Sequence, residues 1–135
     1  MEPTMPVTQS WQKSHTAEFT ARWGPSVALV SVSGELDATN ADQLANYVQR
    51  CARNCSWLVL DLRGVDFIGT AGFSALHRIN VMCSAADVHW GMVPSQAVCR
   101  LLRICDPDGA LPTAEPENGA GQRQPRLLKL IPQLR

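Results

Sequence analysis

Leu58 to Leu76 reads L-V-L-D-L-R-G-V-D-F-I-G-T-A-G-F-S-A-L, and its three parts set the layout of the chain. The apolar run Trp57 to Leu62 holds a single interior charge, Asp61. Such a run predicts a strand buried on both faces, lying centrally in a sheet covered by helices. Arg63 to Thr70, with Gly64 and Gly69, reads as a loop. Beyond it Phe73, Leu76, Ile79, Asn80 and Cys83 recur at helical spacing, which predicts a mostly apolar helix over Ala71 to Ser84.

Upstream, Phe19 to Trp23 and Val27 to Ser33 alternate in polarity around the turn pair Gly24 and Pro25, the pattern of a two-strand hairpin. Glu35 to Thr39 reads as a loop, and Thr39 with Asp42 three residues later has the form of a capping box. A helix is therefore expected over Thr39 to Arg53, with Leu44, Val48, Cys51 and Cys55 on one face and Asn54 as terminator. Downstream, Val88 to Val93 resembles a strand. Ser95 stands where it would cap a helix over Ser95 to Ile104, ended by Pro107 and Gly109, and Ala110 to Thr113 reads as a short edge strand. Strands alternating with helices imply a parallel or mixed sheet of four or five strands in an α/β layered domain, with Val27 to Ser33 and Trp57 to Leu62 at its centre.

Both ends differ from this body. Residues 1–16 are polar, contain Pro3 and Pro6 and show neither period, so they read as a mobile leader. Ala114 to Gln124 is rich in Pro, Gly, Glu and Gln and reads as a linker. Pro125 to Leu134 regains apolar content and suggests a short helix, stable only if its leucines dock.

The chain has 135 residues, 45% hydrophobic and 18% charged, which fits one globular domain and excludes wholly disordered, collagen-like and coiled-coil classes. Twelve Lys and Arg balance twelve Asp and Glu. That balance supplies no basic field to draw in nucleic acid. No apolar stretch approaches the roughly 20 residues of a membrane span. Met1 to His15 has no signal-peptide h-region, so the cytoplasm is the expected compartment. The five cysteines are odd in number and scattered, unlike a secreted disulfide framework.

Taken with V-S-V-S-G-E-L-D-A at Val30 to Ala38 and P-S-Q-A-V-C-R-L-L at Pro94 to Leu102, the stretch from Leu58 to Leu76 resembles the bacterial anti-sigma-factor antagonists, whose fold is the STAS domain. The resemblance runs from about Ala17 to Thr113. It implies a module without catalysis or cofactor that binds a serine/threonine-kinase anti-sigma factor and releases a sigma factor. In the family's cycle the anti-sigma factor phosphorylates the antagonist with ATP, the phosphorylated form cannot bind, and a phosphatase restores it. The family's loop reads Asp-Ser-Ser-Gly or Asp-Ser-Thr-Gly. Here Gly69 stands at the Asp, Thr70 at the phosphoacceptor and Ala71 at the second hydroxyl. The resemblance further implies that Asp37, Gly69, Thr70, Ala71 and Gly72 contact the partner.

The residues themselves allow plainer roles beside these. Thr70 at the start of a helix is either an N-cap satisfying one backbone donor or a site where a phosphate meets unpaired N–H groups. Asp37 is either a turn residue capping local backbone or a partner contact. Replacement of the acidic neighbour by Gly69 also fits a ligand-sensing or scaffold STAS domain, in which the helix start binds a nucleotide or anion without covalent change. Cys83 with Cys99 or Cys105 could serve redox control, against plain burial for packing. Asp61 and Asp66 flank the strand with no His, Lys or ligand cluster beside them, and they read as fold-specific polar residues. G-F-S-A-L lacks the last Gly of a nucleophile elbow and G-T-A-G lacks the Lys of a P-loop, so an enzyme is not expected. His15, His77 and His89 lie on separate elements and suggest no metal site.

Overall fold

The computed structural model describes residues 8–13, 16–53 and 55–113. Expectations for 1–7, for His15 and Asn54 and for 114–135 lie outside these residues. The elements are β1 (Thr8–Lys13), β2 (Ala17–Gly24), β3 (Val27–Leu36), α1 (Ala41–Cys51), β4 (Trp57–Ile68), α2 (Thr70–Ala85), β5 (His89–Val93) and α3 (Gln96–Cys105). The strands form one five-stranded sheet in the order β1-β2-β3-β4-β5. β1, β2 and β3 pair antiparallel, whereas β3, β4 and β5 pair parallel. Each parallel pair needs a crossover, and α1 and α2 supply the two. The result is the expected mixed α/β sheet with helices packed on it.

One apolar cluster joins sheet to helices. It holds Ala28, Val30 and Val32 of β3 and Leu58, Leu60 and Leu62 of β4. From the helices come Leu44 and Val48 of α1, Leu76, Ile79 and Cys83 of α2, and Val98 of α3. Alternation explains these strand members, since every second residue from Ala28 to Val32 of β3 and from Leu58 to Leu62 of β4 faces the helices. Helical spacing explains Leu44, Val48 and Cys51 on one face of α1, while Asn46, Gln49 and Arg50 are exposed.

Several boundaries differ from the sequence expectation. β4 continues to Ile68, so the loop expected over Arg63 to Thr70 is mostly strand. Its ladder with β3 carries register shifts between Ser31 and Ser33 and between Gly34 and Glu35. Burial across Arg63 to Ile68 consequently falls on every third residue, Val65 and Ile68, and the period-two signal of a strand is lost. Gly64 suits this irregularity, because a Cβ there would lie 2.9 Å from the Ser33 Cβ. β3 likewise runs to Leu36, into the expected loop at Glu35.

α1 starts at Ala41 rather than Thr39 and ends at Cys51 rather than Arg53. Thr39 forms no capping box, because its N–H and its hydroxyl both donate to Asp37 Oδ1, at 2.9 and 2.6 Å. Thr8–Lys13, expected within a patternless leader, pairs with all of β2 except its two end residues, from Thr8↔Trp23 to Lys13↔Glu18. An edge strand is held by backbone bonds and needs no apolar alternation to form. Ala110 to Thr113 reduces to a single parallel bridge, Met92↔Thr113. The expectation for α3 holds well: Ser95 Oγ accepts from the Val98 N–H at 3.2 Å and starts the helix at Gln96.

Candidate functional site at the start of helix α2

β3 and β4 finish side by side. Leu36 pairs with Ile68, and the Gly69 N–H donates to the Leu36 carbonyl at 3.0 Å. The chain leaving β3 at Asp37 and the chain entering α2 at Thr70 are thereby held as neighbours at one end of the sheet. The strand register is what joins these two segments.

Gly69 is the N-cap of α2, in an extended conformation with φ −95° and ψ −177°, and no side chain caps the helix. Its carbonyl accepts from Gly72 N–H at 2.9 Å and Phe73 N–H at 3.2 Å. Thr70 is therefore the first helical residue and not the N-cap, which removes the plain capping role for its hydroxyl. The side chain is exposed. The first turn of α2 contains no acidic residue, so the positive end of its dipole is uncompensated from within the helix.

Gly72, expected among the partner contacts, does not lie on the surface. It is buried, and a Cβ at this position would fall 2.6 Å from Ile68 Cγ1 and 3.3 Å from Leu36 Cβ. Its role is to let α2 approach the ends of β3 and β4. Ala71 is half-buried and packs against a small-residue contact between α1 and α2 made by Ala41, Ala45 and Ala75. Gly69 is under no such restraint: a Cβ there would meet only Phe67 Cε2 at 3.7 Å and Cζ at 3.8 Å, ordinary contact. A Cβ at Gly69 is therefore accommodated without displacing a neighbour.

Asp37 is half-buried, and its carboxylate closes the turn onto Thr39. Two residues that sequence reasoning passed over hold this turn and extend its surface. Asn40 is fully buried. Its Oδ1 accepts from Asp37 N–H at 3.0 Å, and its Nδ2 donates to the Glu35 carbonyl at 2.9 Å and to Thr16 Oγ1 at 3.2 Å. An Asn directly before a helix was the available signal. Gly34 has φ +102°, where a Cβ would collide with the Thr16 carbonyl oxygen. The second overlooked residue is Phe67, 52% exposed beside Gly69 and hidden from sequence reasoning inside the expected loop.

The other candidates lie elsewhere. Asp61 is tied to Arg63 through two contacts of 2.9 Å, consistent with a structural role. Arg78 of α2 pairs with Asp42 of α1 at 2.6 Å. It also lines a shallow cavity of about 110 Å³ between those helices with Asn46, Gln49 and Met82, more than two turns along α2 from Thr70. Cys83 is buried, and burial pushes its thiol up to about 11, which suppresses the thiolate that redox exchange requires. Cys99 and Cys105 are half-buried on α3. No disulfide links cysteines among the described residues. Among those residues no three His, Cys, Asp or Glu side chains gather as a metal site, and no helix is long and apolar enough to cross a membrane.

Residues 19–116 match the STAS domain. This chain belongs to the STAS domain family. The STAS fold is also that of two solved structures. An anti-sigma factor antagonist from Mycobacterium paratuberculosis superposes with a TM-score of 0.57 at 24% identity, covering 79% of this chain and 84% of that one. The anti-sigma factor antagonist SpoIIAA in its unphosphorylated form superposes with a TM-score of 0.60 at 13% identity, covering 72% of this chain and 88% of that one. In sequence the STAS chain is 36% identical over 74 residues to Osmosensory protein A of Mycobacterium tuberculosis, covering 55% of this chain. It spans about half the length of that curated relative, 47%.

Proposed function

We propose that this STAS domain is an anti-sigma-factor antagonist: it binds a kinase-type anti-sigma factor, releases the sigma factor, and is switched off by phosphorylation of Thr70. The observation that carries the proposal is the exposed Thr70 hydroxyl on the first residue of an uncapped α2, beside the Asp37 turn. Phosphate on Thr70 adds a charge of about −1.5 to −2 beside backbone N–H groups that have no intrahelical carbonyl to bond, so the fold tolerates it. The same charge is costly once a partner removes water from this surface. Asp37, Gly69, Thr70 and the exposed Phe67 ring supply the contact, with the aromatic as its apolar anchor. A phosphatase returns the domain to its binding form.

The test is incubation with a cognate kinase-type anti-sigma factor and ATP, followed by mass analysis of the peptide carrying Thr70. One phosphoryl group on that residue, lost in Thr70→Ala, is the expected result. Binding without any transfer would favour the second reading, noncovalent anion or nucleotide sensing at the α2 start, which the missing acidic residue at Gly69 supports. Likeness to a relative named for osmosensing makes osmotic shift the first signal to apply.

A further inference from the structure

The sheet has a second face. In β3 and β4, alternation turns Ala28, Val30, Leu58 and Leu60 toward the helices and Val27, Leu29 and Val59 to the opposite side. Among the described residues, the side chains that α1, α2 and α3 bury fall into two apolar clusters, and neither contains Val27, Leu29 or Val59. Yet these three are 4%, 5% and 0% exposed. In the register Leu29↔Val59↔Gly91, one neighbour of Val59 is a glycine, which has no side chain to shield it. A valine on a bare sheet face beside a glycine would be open to water, so a further segment covers it.

We propose that the occupant is the C-terminal segment of this chain, with Leu127, Leu128, Leu130 and Ile131 laid on Val27, Leu29 and Val59. These four aliphatic residues stand within five positions, between Pro125 and Pro132. A stretch this short is not stable alone in water and gains its order by docking. The chain leaves the described body at Thr113, bridged to Met92 on the β5 edge of the same sheet. From β5 to β3 is about 10 Å across two strand spacings. The residues between Thr113 and Leu127 can span at most roughly 45 Å when extended, so reach is ample. Residues 1–7 offer only Met1, Met5 and Val7 as aliphatic candidates, spread along the opposite end of the sequence.

The measurement is methyl-to-methyl NOE on the full chain with labelled Leu, Val, Ile and Met. Intramolecular cross-peaks from Leu127, Leu130 or Ile131 to Leu29 or Val59 are expected. In Leu130→Asp the Leu29 and Val59 methyls should shift while Val30 and Leu60, on the helix side, stay in place. Cross-peaks to Met1, Met5 or Val7 instead, or cross-peaks seen only between differently labelled copies, would overturn the proposal. So would an absence of cross-peaks to either end, or a Leu130→Asp spectrum with Leu29 and Val59 unmoved. The wild-type cross-peaks decide the matter even where the variant is poorly folded.

Discussion

α1 and α2 start at the same end of the sheet and are built in opposite ways. The entry to α1 is closed: Asn40 is buried and bonded to Asp37, Glu35 and Thr16, and the Asp37 carboxylate is engaged by Thr39. The entry to α2 is open, with a glycine N-cap, no side-chain cap and an exposed hydroxyl on its first residue. Buried polar groups must be fully bonded, whereas an exposed helix start is satisfied by water at little cost. The closed entry fixes where the open one stands, and the open one is free to change its chemistry. This difference separates residues that hold the surface from the residue proposed to be modified on it.

Substitutions test that division, beginning with the largest expected effect. Gly34→Ala adds a Cβ against the Thr16 carbonyl at φ +102°, and should lower the unfolding free energy by roughly 3 kcal/mol in urea titration. Asn40→Ala removes the acceptor of the Asp37 N–H and one of two donors to the Glu35 carbonyl, which keeps the Thr16 hydroxyl, a loss of about 2 kcal/mol in the same assay, together with faster amide exchange at Asp37. At the open entry, Gly69→Asp and Thr70→Ala should each stay within about 0.5 kcal/mol of wild type. Equal costs at Asn40 and Thr70 would abolish the distinction between the two helix starts.

A pH titration probes the core beneath both. Burial raises the Cys51 and Cys83 thiols to about 11 from an ordinary value of 9.0. Between pH 9 and 11 the unfolded chain loses these protons while the folded chain keeps them, so stability is full below pH 9 and falls as pH rises to 11. Cys51→Ala and Cys83→Ala should each flatten that fall in denaturation midpoints measured across the range.

The sequence told more about the fold than about the site. Leu44, Val48 and Cys51, Leu76, Ile79 and Cys83, and the run Trp57 to Leu62 announced three elements, because burial imposes a period on the residues that make it. β1 and the far half of β4 carried no such mark. One is held by backbone pairing along an edge, and the other is bent by register shifts that break alternation. At the site, Thr70, Gly69 and Asp37 were legible through family resemblance. That Gly72 is buried and that Phe67 is exposed depend on how distant segments meet, and no local pattern encodes that, while Asn40 left only the mark of an Asn directly before a helix.

The central claim is that the surface at the open entry binds a partner and that charge on Thr70 ends the binding. Affinity for a kinase-type anti-sigma factor, measured by calorimetry for wild type, Thr70→Ala and Thr70→Asp, tests it most directly. Thr70→Ala should bind within about twofold of wild type, and Thr70→Asp should bind at least about tenfold more weakly, a difference of ~1.4 kcal/mol or more. Three equal affinities would contradict the account.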